Sequence, residues 1–248
     1  MIIDANANVG QSLYGPQQTV DELLRRMDAS GIERAVVSPF TPPDLDFRAA
    51  NADLAARLTR KDRLIGFARI DPRLGTRSVA EVRACHGEGL RGVKVDPFEQ
   101  GFQINSDLTL EVFAACAAMR LPVLVVAGFP MASSPIQVGD LAVRLPSLTV
   151  VMLHGGQLAM HGLGIMDCLN VVRAVPNVFV ETSGIPETGT ESLIERVVLE
   201  VSPERVLFGT NSPINDPEME LERIAVAQVP QAAKRQILGP NLARILDG

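Results

Sequence analysis

His154, Lys94 and Asp96 are the residues of this chain best suited to move a proton or hold a charge at a reaction centre. Imidazole titrates near neutrality in water, so His154 is the candidate general acid or base. Lys94 and Asp96 stand two apart in Gly92-Val93-Lys94-Val95-Asp96-Pro97, a spacing that places both on one face of an extended strand. There Lys94 can bind a substrate carboxylate or stabilise an oxyanion. A lesser alternative makes Lys94 a Schiff-base nucleophile, because burial on a strand lowers the pKa of an amine. Asp4, Asn6, Asn8, Glu181 and Asn211 are the expected substrate-binding residues. By strict alternation Asp4, Asn6 and Asn8 share an inward face, and Ile3, Ala5 and Ala7 take the other. Each polar residue alone could cap a turn or balance a buried charge. Their recurrence at the same level of five or more strand ends marks a polar pocket.

The elements that must carry these residues form one repeating pattern. Short apolar runs at Ile2–Asn8, Arg34–Pro39, Leu64–Asp71, Gly92–Pro97, Val123–Gly128, Thr149–Gly155, Val178–Ser183 and Val206–Asn211 read as strands. Continuous apolar strands are those covered on both faces, as in a parallel sheet. Amphipathic segments alternate with them: Thr19–Ser30, Arg48–Thr59, Ser78–Gly87, Leu108–Met119, Pro135–Leu145, Met166–Val175, Glu191–Val201 and Glu218–Val226. Thr19 with acidic residues behind it opens the first of these as a capped helix. The stretch Gln231–Leu246, broken at Gly239-Pro240, reads as a terminal cap. Eight strands and eight helices in 248 residues predict an α/β fold, a single (β/α)8 TIM-type barrel spanning 1–248, whose chemistry collects at the strand C-termini. A doubly wound sheet would want G-x-G-x-x-G after its first strand, and Asn8-Val9-Gly10-Gln11-Ser12 does not supply it.

Several function classes are set aside. A net charge of −6 opposes nucleic-acid and anionic-membrane surfaces, which need clustered Lys and Arg. No run approaches the roughly 18 apolar residues of a membrane span, and Met1–Gly10 lacks the basic and apolar regions of a secretory signal. Cys85, Cys116 and Cys168 all fall in helical segments, the pattern of reduced, buried thiols in a cytoplasmic protein.

The order of motifs resembles the amidohydrolase superfamily, in the metal-dependent branch that includes aminocarboxymuconate-semialdehyde-type decarboxylases. The resemblance rests on Ile3-Asp4-Ala5-Asn6-Ala7-Asn8, Leu23–Ile32, Gly92–Pro97 followed by Gln100-Gly101-Phe102, and His154-Gly155-Gly156. Arg205–Pro213 and Asn241–Leu246 complete it. It implies a His-x-His metal pair at the positions of Asn6 and Asn8, a histidine at Val126, a histidine at Asp96 and an aspartate at Asn211. Of the family's set only His154 is retained. An amide is a weak, uncharged donor for zinc, His161 lies in a loop, and Lys94 would repel a dication. The expectation is therefore no metal ligand set and no cofactor, with at most a weakly bound divalent metal.

Two functions follow. The first is a metal-independent hydrolase or lyase acting on a small carboxylate, ester or lactone at the C-terminal face of the barrel. The alternative is a catalytically inactive relative serving as a ligand-binding or partner subunit. The expected partner is a small molecule, with neither nucleic acid nor membrane, and homo-oligomers are common among barrels of this type.

Overall fold

The computed structural model describes residues 1–59, 61–159, 162–185 and 192–247. Parallel strands succeed one another around a closed ring. β1 (Ile3–Gln11) pairs with β3 (Arg34–Pro39), and β3 with β4 (Leu64–Gly66). β5 (Ala68–Arg69) pairs with β6 (Val93–Val95), followed by β7 (Val123–Val126), β8 (Val150–Leu153), β9 (Val178–Glu181) and β10 (Val206–Leu207). Phe67, between β4 and β5, still donates its N–H to Val37 O at 2.8 Å, so the two pieces act as one strand. The seam closes where Ala5 N donates to Phe208 O (2.9 Å) and Asn8 N to Ser212 O (2.8 Å). A two-residue strand, β2 (Gln17–Gln18), folds back antiparallel on the end of β1, an addition that no alternation in the sequence announces.

Helices α1 (Val20–Ser30), α2 (Phe47–Leu58), α3 (Thr76–Gly87), α4 (Pro97–Gln100), α5 (Asp107–Ala118), α6 (Pro135–Arg144), α7 (Ile165–Ala174) and α8 (Leu193–Glu200) connect the strands, and α9 (Pro217–Val226) follows the last of them. The Thr19 hydroxyl and the Glu22 carboxylate cap α1 reciprocally, as the sequence predicts. Glu191, the predicted start of the seventh amphipathic segment, and His161 lie outside the described residues. α10 (Gln231–Ile237) and α11 (Pro240–Asp247) form the terminal cap.

Apolar residues divide into two cores. Val37, Val93, Val125, Val150 and Val180 pack outward against the helices. Ile3, Ala5, Val36, Phe67, Leu124, Val151 and Leu207 fill the barrel, closed below by Leu242 of α11. Cys85, Cys116 and Cys168 are buried and free, and burial pushes the Cys85 and Cys116 thiols up to about 12, which keeps them protonated. Among the described residues no helix is long and apolar enough to cross a membrane.

The first strand departs from simple alternation. Its register against β3 shifts between Asp4 and Ala7, a bulge that reverses which face later residues take. Ile3 and Ala5 therefore enter the barrel core, whereas Ala7 and Val9 pack on the helices. Asp4 aligns with Ala35, an outer-core residue, so the predicted common face of Asp4, Asn6 and Asn8 is corrected: only the two asparagines turn to the interior.

Candidate active site

Strands end in loops at the mouth of the barrel, and the sequence forces unusual backbone there. His154 has φ 58° and is followed by Gly155 (61°) and Gly156 (67°), a left-handed turn that ends β8 abruptly. Side chains are rare at such angles, and added Cβ atoms at the two glycines would strike Leu193 and Met152. Asn211, after β10, is also left-handed at φ 53°. Asp96 ends β6 by capping α4, its carboxylate accepting from Glu99 N at 3.0 Å.

Lys94 is the hub. Only 2% exposed, its Nζ donates to Asn6 Oδ1 at 2.6 Å and to Asn8 Oδ1 at 2.7 Å. Asn8 passes the connection on through Nδ2 to Asn211 Oδ1 (3.0 Å). Asn6 Nδ2 donates to Ser183 Oγ (3.3 Å), which donates in turn to Glu181 Oε2 (2.9 Å). Burial first, and the charge of Arg69 second, push the Lys94 ammonium down to about 7.

His154 is held from behind. Its Nδ1 lies 3.0 Å from Ser183 O, so Nδ1 carries the proton and Nε2 keeps its lone pair. Burial drives the imidazole down to about 4. The predicted neutral-range titration of His154 thus gives way to a ring that stays neutral, because water reaches it too little to solvate a cation.

Glu181 sits beneath this layer, accepting from His154 N (3.1 Å) and Ser183 N (2.6 Å). Burial outweighs those bonds and raises its carboxyl to about 8. Gly209 is needed beside it, since a Cβ there would collide with the carboxylate. Asp4 clamps the barrel seam: it accepts from Thr210 N (2.9 Å) and Thr210 Oγ1 (2.5 Å), and burial raises it to about 6.

Above Lys94 opens a cavity of about 370 Å³, lined by Asn8, Arg69, Lys94, Asp96, His154 and Asn211 among others. Phe98 and Phe129 stack beside it with ring centroids 4.0 Å apart. Of the residues singled out in the sequence, Asn8, Lys94, Asp96, His154 and Asn211 meet at this cavity. Asn6 braces Lys94 from outside the lining, and Asp4 and Glu181 are buried away from it.

Arg69 was not anticipated. It pairs in register with Lys94, is 4% exposed, and spends Nε on Pro39 O (3.2 Å). Its Nη1 has no hydrogen-bond partner among the described residues and stands 3.8 Å from Glu99 Oε2. The available signal was a lone charge in Leu64-Ile65-Gly66-Phe67-Ala68-Arg69-Ile70, an otherwise apolar strand.

Comparison with known proteins extends these observations. A family profile described as Amidohydrolase matches residues 7–248. No curated protein matches the chain. Solved structures do: 5-carboxyvanillate decarboxylase from Sphingomonas paucimobilis is 18% identical with a TM-score of 0.77, covering 99% of this chain and 98% of that one. 2,6-Dihydroxybenzoate decarboxylase from Rhizobium is 19% identical with a TM-score of 0.76, covering 100% and 99%. A dihydroxybenzoic acid decarboxylase from Polaromonas, solved with bound manganese and the inhibitor 2-nitroresorcinol, is 16% identical with a TM-score of 0.76, covering 99% and 96%.

The manganese in that last structure overturns the expectation that a barrel of this kind has no cofactor; it points to a metal rather than none. The side chains at this mouth do not form a ready ligand set for such an ion. Asn6 and Asn8 both aim their amide oxygens at Lys94 Nζ, and His154 contributes one imidazole. No group of three or more His, Cys, Asp or Glu that could hold a metal occurs among the described residues.

Proposed function

This chain belongs to the amidohydrolase family, and on that premise we propose that it is a lyase that releases carbon dioxide from a small carboxylate substrate bound at the barrel mouth. The observation that carries this reading is the pairing of Arg69 with Lys94. Two basic side chains are aligned on adjacent strands beside one cavity, and Arg69 Nη1, 3.8 Å from Glu99 Oε2, keeps a buried N–H donor with no hydrogen-bond partner among the described residues. A buried donor without a partner costs roughly 1–3 kcal/mol, a cost that an arriving carboxylate removes. The decarboxylases of the same fold support the reaction class.

The roles follow from position. Arg69 Nη1 donates to the substrate carboxylate and orients the bond to be broken. Lys94 stands where negative charge gathers as carbon dioxide leaves, at a distance from solvent that makes its field effective. Asn6 and Asn8 fix the Lys94 amine, and Asn211 fixes Asn8. Neutral His154 offers Nε2 as a hydrogen-bond acceptor, while the stacked Phe98 and Phe129 cover apolar parts of the ligand.

The test is carbon dioxide release from a panel of small aromatic and aliphatic carboxylic acids. Turnover should be found with at least one acid and fall at least tenfold in Arg69→Gln. Hydrolysis of activated esters with no decarboxylation of any acid would replace this reading with a hydrolase.

A further inference from the structure

We propose that Lys94 forms an imine with the carbonyl carbon of an oxo acid whose carboxylate is held by Arg69, so that the substrate class is a β-oxo carboxylic acid. This rests on the reading above that the mouth takes a carboxylate, and it adds the electron sink that decarboxylation requires.

The geometry of the amine is the first support. An ammonium group has three N–H donors, a neutral amine two donors and one lone pair. Lys94 Nζ meets two acceptors, Asn6 Oδ1 and Asn8 Oδ1, and no third is found among the described residues. Both acceptors are uncharged amides; among the described residues no carboxylate is within hydrogen-bond reach of Nζ, and Glu181, Asp96 and Asp4 act on it only through their charge. Two N–H bonds used on the asparagines leave the third position of the nitrogen free for a carbonyl carbon. Arg69, its register partner, is the second support: a fixed cation beside a buried lysine disfavours the ammonium form and favours the nucleophile. Burial and Arg69 act in that sense on Lys94.

Each step balances. The Lys94 nitrogen adds to the carbonyl carbon, one amine proton and one proton from solvent leave with the carbonyl oxygen as water, and a cationic iminium that keeps the second amine proton remains. The bond to the carboxylate carbon breaks, its electron pair moves through the α carbon onto the iminium nitrogen, and carbon dioxide departs. The resulting enamine carbon takes a proton from water. Hydrolysis of the imine releases the ketone and restores the amine. The net change is oxo acid to ketone and carbon dioxide, with no redox partner.

Acetoacetate with sodium cyanoborohydride tests the proposal on the intact protein, read by whole-protein mass and peptide mapping. Lys61, Lys234 and the α-amine of Met1 are the other primary amines of the chain, and peptide mapping separates an adduct on Lys94 from one on any of them. The expected result is one reduced adduct on Lys94, at least tenfold less of it in Arg69→Gln, and none at that position in Lys94→Met. Calorimetric titration with butanoate, which has a carboxylate and no ketone, separates the two levels. Arg69-dependent butanoate binding without a Lys94 adduct would overturn the imine and leave the carboxylate site standing. Absence of both would overturn both. Adducts confined to Lys61, Lys234 or the Met1 α-amine would also overturn the imine.

Discussion

Arg69 and Lys94 are register partners on neighbouring strands, two buried side chains of like charge placed side by side at the base of one cavity. Such a pair is tolerable when one member gives up its proton or when an anion lies close by, as Glu99 Oε2 does at 3.8 Å from Arg69 Nη1. Removing Arg69 should therefore act in two ways. In Arg69→Gln, binding of a small carboxylate such as butanoate should weaken by about 10- to 100-fold, the range of one charge-assisted hydrogen bond. The Lys94 ammonium should also titrate higher than about 7, read by the pH dependence of chemical modification of the amine. Unchanged carboxylate affinity would remove Arg69 from the site.

His154 should not titrate in the physiological range. Its Nδ1–H is committed to Ser183 O, and burial holds the ring near 4. Nitrogen NMR of labelled protein should show the Nδ1-protonated neutral tautomer from pH 8 down to pH 5. A midpoint near 6.5 would show that the ring is solvated and free to act as a general base, contrary to this packing.

Much of this architecture was legible in the residues. The alternation of Val-rich runs with amphipathic segments located the strands, and Thr19 with the acidic residues behind it marked a helix start by its own chemistry. The convergence of Asn8, Lys94, Asp96, His154 and Asn211 followed from the rule that strand C-termini face one mouth. The facing of Asp4 did not, because a bulge is a property of two paired strands and β1 alone carries no sign of it. Arg69 was missed because a single charge in an apolar strand says nothing of whether its far end finds a partner. The behaviour of His154 and Glu181 depends on depth of burial, which only the assembled barrel defines.

Lys94 should compete with divalent cations for the asparagine oxygens. Asn6 Oδ1 and Asn8 Oδ1 are both engaged by Nζ, and an ion drawn to them meets a positive charge in a medium of low dielectric. Removing that charge should tighten the binding of manganese. Calorimetric titration of manganese into wild type and Lys94→Met is expected to show at least tenfold higher affinity in the variant. Equal affinities would mean that any manganese site lies away from Asn6 and Asn8.

Glu181 should make stability depend on pH in a direction opposite to that of an ordinary salt-bridged carboxylate. Three donors, His154 N, Ser183 N and Ser183 Oγ, favour its charged form, but burial dominates and raises the carboxyl from 4.5 to about 8. Between those values the folded protein holds a proton that the unfolded chain releases. By linkage, the contribution of Glu181 is therefore fully present below about pH 4.5 and is lost as the pH rises towards 8. Asp4 and Lys94, at about 6 and about 7, titrate within the same window, and taking the difference between wild type and Glu181→Gln subtracts the contribution they make to both. Urea unfolding at pH 5 and pH 8 should show the stability of wild type relative to Glu181→Gln declining by on the order of a few kcal/mol between the two. A difference that stays constant, or grows with pH, would mean that Glu181 is ionised at neutral pH and that its three hydrogen bonds outweigh its burial.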